Sequence, residues 1–158
     1  MKQSPELEEI QRRMQPGRIS LNGFLGSDRR PLSEILDHDH NSVRKLRLTH
    51  QEIADRLKFF MKKARRGLGT PVTVEEDYVV RCDEWRGGMP CPWPHAGLYR
   101  KAIITLQKLS TGQKLEWTPL NVHMIREHGF YEGRHSDCRL DPEYVARVLN
   151  LRPSKEDH

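Results

Sequence analysis

Residues 49–69 read THQEIADRLKFFMKKARRGLG and carry a full set of signals for one amphipathic helix. Thr49 and Glu52 have the spacing of a capping box, in which each side chain bonds to the backbone amide of the other residue. Apolar residues then recur at the helical period: Ile53, Leu57, Phe60, Met61, Ala64 and Leu68. Gly67 marks the expected C-terminal end of the helix. The pattern predicts a central packing helix over residues 50–66.

The chain before this helix carries a weaker set of signals. Ser4 followed by Pro5 is a helix N-cap with proline in the first turn, and Pro16 ends the pattern. We predict a short amphipathic arm within residues 1–17. After a turn-rich stretch we predict a short helix at residues 31–36.

Beyond the central helix, the pattern changes to the alternation that is typical of β-strands. β-branched and aromatic residues cluster at 72–74 and 78–82. Two further runs, 98–109 and 114–117, are joined by a short loop that contains a glycine. These runs predict a small antiparallel sheet.

Two more helices are predicted toward the C-terminus. An N-cap residue followed directly by proline occurs at 118–119 and again at 141–142, and Gly129 ends the first of these helices. Helices, then strands, then helices favour an α+β fold. We expect a small antiparallel sheet packed against a central amphipathic helix, with further helices at both ends.

Length and composition set further bounds. A chain of 158 residues suits one domain, so we divide it into the arm, a single α+β domain of residues 18–151 and a flexible tail of residues 152–158. The longest apolar run is far shorter than the roughly 20 residues of a bilayer helix, and the charged N-terminus is unlike a secretory signal. Three cysteines, an odd number, argue against a disulfide framework. We expect a cytoplasmic protein without a membrane partner.

Residues 83–97 form a long predicted connection between two strands, and such connections are uncommon unless they have a function. The stretch reads DEWRGGMPCPWPHAG, in which prolines stiffen the chain and Trp85 and Trp93 supply large apolar surfaces. One interpretation is a cover over a sheet edge. The other is a rigid binding wall that has Arg86 and His95 as its polar groups.

Residues 121–139 concentrate histidines, arginines and one tyrosine around a helix end and the loop after it. Basic residues in the last turn of a helix, here Arg126 and His128, are explained by the helix dipole alone. In the alternative interpretation, Arg134 and Arg139 hold a phosphate or carboxylate in a turn shaped by glycines.

Seven side chains are of the kinds that bind zinc: Cys82, Cys91, His95, His123, His128, His135 and Cys138. No closely spaced pair of cysteines occurs among them. His123 and His128 are about 140° apart around a helix, which predicts that they cannot chelate one ion from an unbroken helix. We therefore expect neither a metal nor another cofactor, with zinc as the less favoured alternative. Cys82, on a predicted strand, is expected to be a small buried apolar residue.

Residues 43–66 carry nine Lys or Arg against two acidic residues. Four of these cations recur on one face of the predicted helix: Lys58, Lys62, Arg65 and Arg66. The start of the segment is similar to the first helix of a helix-turn-helix unit, but the same helix runs on and no recognition helix follows. Weak, non-specific nucleic-acid contact is one interpretation, and a solvated basic helix end is the other.

The favoured hypothesis is a pocket for a small anionic ligand where the 83–97 loop meets the 121–139 segment. Its members are Arg86, Arg134 and Arg139 as charge partners, Trp85, Trp93 and Tyr131 as walls, and His95, His123 and His128 as acid–base or hydrogen-bonding groups. Both an enzyme and a binding protein fit this hypothesis. The alternatives are a nucleic-acid-associated protein that uses the basic helix and a structural or protein-interaction module.

Overall fold

The computed structural model describes residues 3–153, and within them the chain forms the α+β fold that the sequence predicts. The helices are α1 (Pro5–Arg13), α2 (Leu32–Lys45), α3 (His50–Arg66), α4 (Pro119–His128) and α5 (Pro142–Val148). The strands are β1 (Val72–Val74), β2 (Tyr78–Pro90), β3 (Leu98–Lys108) and β4 (Lys114–Trp117).

The four strands form an antiparallel meander in the order β1-β2-β3-β4. α3 packs against β1 and β2, and α4 packs against α3 and β3. Phe60 of α3 meets Tyr78 of β2 with ring centroids 4.8 Å apart, and Ile104 and Trp117 are fully buried in the same group of side chains. The predicted packing of the sheet on the central helix is confirmed.

α3 begins and ends where its sequence signals lie. The Thr49 hydroxyl accepts from the Glu52 amide at 3.1 Å, and the Glu52 carboxylate accepts from the Thr49 amide at 3.0 Å. Both bonds satisfy amides that have no partner inside the helix. The chain leaves the helix at Gly67, as predicted.

A second group of buried side chains joins α1, α2, α4 and the loop after β2. α4 contributes to both groups, because Val122 and Ile125 pack in the first, and Leu120 and Met124 in the second. Cys91, in the loop after β2, belongs to the second group. This packing holds α4 beside that loop.

α2 is much longer than the short helix predicted at residues 31–36, since it covers Leu32–Lys45. Its buried face continues to Val43, but Asp39 occupies one of the buried positions. The Asp39 carboxylate accepts from the Arg139 guanidinium, which makes the burial of its charge tolerable. Because Asp39 is a polar residue on the buried face, the apolar residues of this segment do not follow a clear helical period in the sequence.

β2 runs on to Pro90, so the predicted loop over residues 83–97 is a loop only from 91 to 97. The strand pairing shifts across Gly87, which has a φ of +98° that few residues other than glycine adopt. Gly87 therefore lies in an irregularity within a strand. Among the described residues, 83–90 of β2 and 98–103 of β3 pair only with each other, on both sides of this irregularity, and form a two-stranded ribbon.

The remaining helices start at their predicted N-caps, which are Ser4, Thr118 and Asp141. Residues 154–158 of the predicted tail and residues 1–2 of the predicted arm lie outside the described residues, and the division into arm, domain and tail stays a prediction. None of the five described helices has the length and apolar character that a bilayer crossing needs.

Candidate metal centre

Four zinc-type ligands from two parts of the chain meet at one place. Cys91 and His95 lie in the loop between β2 and β3, and His123 and His128 lie on α4. Their ligand atoms are all within 4.8 Å of one another. Cys91 is buried, the two α4 histidines are half-buried and His95 is exposed, so the cluster has its thiol on the inner side.

The loop is held in place by contacts at its start and its middle. The Arg13 guanidinium of α1 donates to the Cys91 carbonyl at 3.2 Å, and the Cys91 side chain packs among the second group of buried residues. The His95 amide donates to the Trp93 carbonyl at 2.9 Å, which closes a tight turn. Prolines at 92 and 94 restrict the backbone between them. His95 is thereby turned toward α4.

The three imidazoles point the same ring nitrogen at a common point. The Nε2 atoms of His123 and His128 lie 3.0 and 3.4 Å from Nε2 of His95. Two nitrogens that each bind one tetrahedral zinc ion at about 2.0–2.1 Å lie roughly 3.3–3.4 Å apart. The observed spacing is therefore close to that of a shared ion.

Hydrogen bonding explains this arrangement less well than a cation does. Nδ1 of His95 lies 2.9 Å from the carbonyl oxygen of Ala96, so Nδ1 carries the proton when the ring is neutral. Its Nε2 then has one lone pair facing two nitrogens, those of His123 and His128. A cation among the three Nε2 atoms accepts all their lone pairs at once.

Contacts outside the cluster orient the rings in the manner of metal-binding histidines, whose second nitrogen is held by a neighbouring polar group. For His95 that neighbour is the Ala96 carbonyl, and for His123 it is the Tyr99 hydroxyl, 3.0 Å from Nδ1. The His128 ring stacks on Trp93 with centroids 4.1 Å apart and planes 2° from parallel. The ring orientations are fixed by these partners.

Comparison with protein-family models, with curated proteins and with solved structures finds no match. The chemistry of the cluster therefore rests on its own geometry.

The electrostatics of the cluster favour neutral imidazoles. Burial, together with the neighbouring His123 and His95, lowers the pKa of His128 to about 4. Burial and His95 also lower the pKa of His123, against an opposing effect of Glu127. Burial raises the pKa of the Cys91 thiol, so this group ionises at neutral pH only if a cation replaces its proton.

The expectation that His123 and His128 cannot face one ion from an unbroken helix is wrong. Their ring centroids are 5.2 Å apart with the planes at 80°, and His128 is the last residue of α4. The angle around the helix axis describes only the directions of the Cα–Cβ bonds, whereas the imidazoles turn back toward each other. His95, from outside the helix, lies within reach of both rings.

The other predicted site residues are distributed over several places. Trp93 joins the histidines, whereas Trp85 is exposed on the ribbon. Tyr131 is fully buried, and its hydroxyl lies 2.7 Å from Nδ1 of His50. Burial raises its pKa far above the ordinary value, so the hydroxyl stays neutral.

The three arginines predicted as charge partners do not join the cluster. Arg139 donates to the buried Asp39 carboxylate and to the Glu132 carbonyl. Arg134 is exposed and its amide donates to Asp28 at 3.2 Å. Arg86 is exposed on the ribbon. Among the described residues, none of their hydrogen bonds or ion pairs reaches the histidines.

The predicted basic face of α3 is divided between two surfaces. Lys58 lines a groove of about 340 Å³ beside His123, whereas Arg65 and Arg66 line a different hollow together with Trp85. Lys62 is exposed. α3 runs unbroken to Arg66, so the absence of a recognition helix directly after its first turns is confirmed.

Sequence reasoning did not name Tyr99. It named Cys91 among the zinc-type side chains, with a spacing of three intervening residues to His95 that suits ligation of one ion, but did not choose it as a site residue. No sequence pattern marks Tyr99 as a site residue, because its contact with His123 depends on the packing of β3 against α4.

Proposed function

We propose that this protein binds one zinc ion through Cys91, His95, His123 and His128. The convergence of the four ligand atoms within 4.8 Å carries the proposal. One thiolate and three imidazoles are ligands that zinc accepts in tetrahedral geometry. The partners that hold the outer nitrogens of His95 and His123 add support, because such partners preserve the ligand orientation.

The ion would have a structural role. Four protein ligands complete a tetrahedral site and leave no position for water or substrate, which catalytic zinc sites keep open. Two of the ligands lie in a loop and two on α4, so the ion would link these two parts of the chain. The histidines that the sequence offers as acid–base groups act here as ligands. Cys91 must remain reduced to bind, which agrees with a cytoplasmic location.

Metal analysis of the purified protein tests the proposal. We expect one zinc per chain in the wild type, and loss of most of it in Cys91→Ser and His128→Gln. Matched controls are Cys138→Ser and His38→Gln, which change the same residue types outside the cluster and should keep the metal. A wild type without stoichiometric zinc, or ligand variants that keep it as well as the controls do, would contradict the proposal.

Cobalt substitution tests the geometry independently of the metal content. Co²⁺ in a tetrahedral site with a thiolate ligand has intense visible bands and a sulfur-to-metal charge-transfer band. We expect both in the wild type and loss of the charge-transfer band in Cys91→Ser. Weak octahedral bands in the wild type would mean that the four side chains do not form the site.

A further inference from the structure

Trp85 is the aromatic member of the five exposed large hydrophobic residues in the described part of the chain. It lies on β2 beside the register shift, with 56% of its surface accessible, although most tryptophans in folded proteins are largely buried. None of the described contacts of Trp85 involves the four residues of the candidate metal centre. The exposed face of this indole can stack on a planar group of a binding partner.

Two hollows flank this indole, and each contains a pair of cations. The first, of about 820 Å³, is lined by Trp85 with Arg65 and Arg66 of α3. The second, of about 360 Å³, is lined by Trp85 with Arg100 and Lys101 of β3. A chain that crosses Trp85 would therefore meet positive charge on both sides.

Positive charge is in excess around the two hollows. The cations that line the hollows are Arg65, Arg66, Arg100 and Lys101, Arg86 follows Trp85 on β2, and the acidic residues in the lining are Asp83 and Glu84. Glu84 is shared by Arg65 and Arg100, and Asp83 pairs with Arg81. Within residues 3–153, Arg66, Arg86 and Lys101 form no ion pair. They remain available for an anionic partner.

We propose that this Trp85 surface, formed by Trp85, the four cations that line the two hollows and Arg86, binds single-stranded nucleic acid. One unpaired base would stack on the indole, and the phosphates on either side would meet the cations of the two hollows. A duplex fits less well, because its bases already stack on one another. An acidic peptide would satisfy the cations but would leave the exposed indole without a role. The proposal does not depend on zinc.

Fluorescence anisotropy with a labelled oligothymidylate of about twelve nucleotides tests the stacking contact. We expect Trp85→Ala to weaken binding by about tenfold or more and Trp85→Phe, which keeps an aromatic face, to stay within a few-fold of the wild type. Circular dichroism verifies that both variants are folded, as their exposed position leads us to expect. Equal affinities of Trp85→Ala and the wild type would overturn the proposal.

A charge-matched pair of double variants tests the phosphate contacts. Arg66→Gln with Lys101→Gln removes one cation without an ion pair from each hollow, and it should lower the slope of log affinity against log salt by about 1.4, as expected for two lost contacts to a single strand. Arg44→Gln with Lys45→Gln removes the same charge from the end of α2, which lines neither hollow, and should leave the slope near the wild-type value. Equal slopes in both double variants, or tighter binding of polyglutamate or duplex DNA than of the single strand, would reject this assignment.

Discussion

Glu132 is a carboxylic acid in the interior of the protein, with 5% of its surface exposed. Asn121 donates to one carboxyl oxygen at 2.6 Å, and Ser136 donates to the other at 2.9 Å. Burial outweighs these bonds and raises the pKa of Glu132 to about 7, with Asp137 acting in the same direction and Arg139 against it. The folded protein thus keeps a proton that the unfolded chain releases at lower pH.

We predict that Glu132 makes the protein less stable as the pH rises. Below its ordinary pKa of 4.5 the group is protonated in both states and costs nothing. As the pH rises from about 4.5 to about 7, stability falls by about 3 kcal/mol in total, because the unfolded chain ionises first, and above about 7 the loss levels off. Urea unfolding at a series of pH values between about 4 and 9 measures this loss.

The variant Glu132→Gln isolates this effect from other titrating groups. Its amide oxygen can accept from Asn121, while the Ser136 hydroxyl turns to accept from the amide nitrogen. We expect the variant to be more stable than the wild type at the alkaline end and to have a flatter pH profile. Parallel profiles for the two proteins would show that Glu132 does not carry the pH dependence.

At the scale of elements, prediction succeeded where the signals lie within one segment. The bounds of α3 follow from Thr49, a regular apolar stripe and Gly67, all close in sequence. α2 and β2 were predicted too short, because the roles of the buried Asp39 and of Gly87 depend on residues that are distant in sequence. The periodicity of residues 32–45 does not show that Arg139 pairs with Asp39, and that of residues 78–90 does not show that β3 pairs with the second half of β2.

In the candidate site, too, the features that depend on one segment were predicted, and the position of Cys91, which depends on distant contacts, was not. The three histidines were chosen from their local chemistry, and the meeting of their two segments was expected. His123 and His128 approach each other although their positions are about 140° apart around the helix, because their side chains turn toward each other. Cys91, the fourth candidate ligand, is positioned by contacts with α1 and the second buried group, which no local pattern predicts.

The cap of α3 gives a prediction at this scale. Thr49→Ala removes the acceptor for the Glu52 amide and should lower the free energy of unfolding by about 1 kcal/mol, as N-cap losses do. Thr49→Ser keeps the hydroxyl and should remain within a few tenths of the wild type. Urea unfolding measures both. If the two variants lose equal stability, the hydroxyl is not the stabilising group.

At the scale of the whole molecule, the two groups of buried side chains differ in the elements that cover them. The first lies between α3, α5 and the sheet, whose strands pair with one another except at the irregularity of β2 across residues 85–87. The second includes Cys91 and is covered in part by the loop of residues 91–97, with Trp93 packed against it. The described hydrogen bond between the backbone of that loop and the rest of the chain comes from a side chain, because the Arg13 guanidinium donates to the Cys91 carbonyl. A bound ion would therefore matter most for the second group.

Removal of zinc should loosen one side of the molecule and leave the other intact. We expect chelation to lower the melting temperature, since an ion present at about a thousand times its Kd stabilises the folded state by about 4 kcal/mol. In hydrogen exchange, the end of α4 and the amides within residues 91–97 should lose protection. The amides of α3 and of the central pairs of β2 and β3 should keep theirs, because their side chains pack in the first group without a metal ligand. Chelated wild type should match Cys91→Ser in this pattern. Complete unfolding on chelation would mean that the two groups fold as one unit, and unchanged protection would mean that the loop is held without the ion.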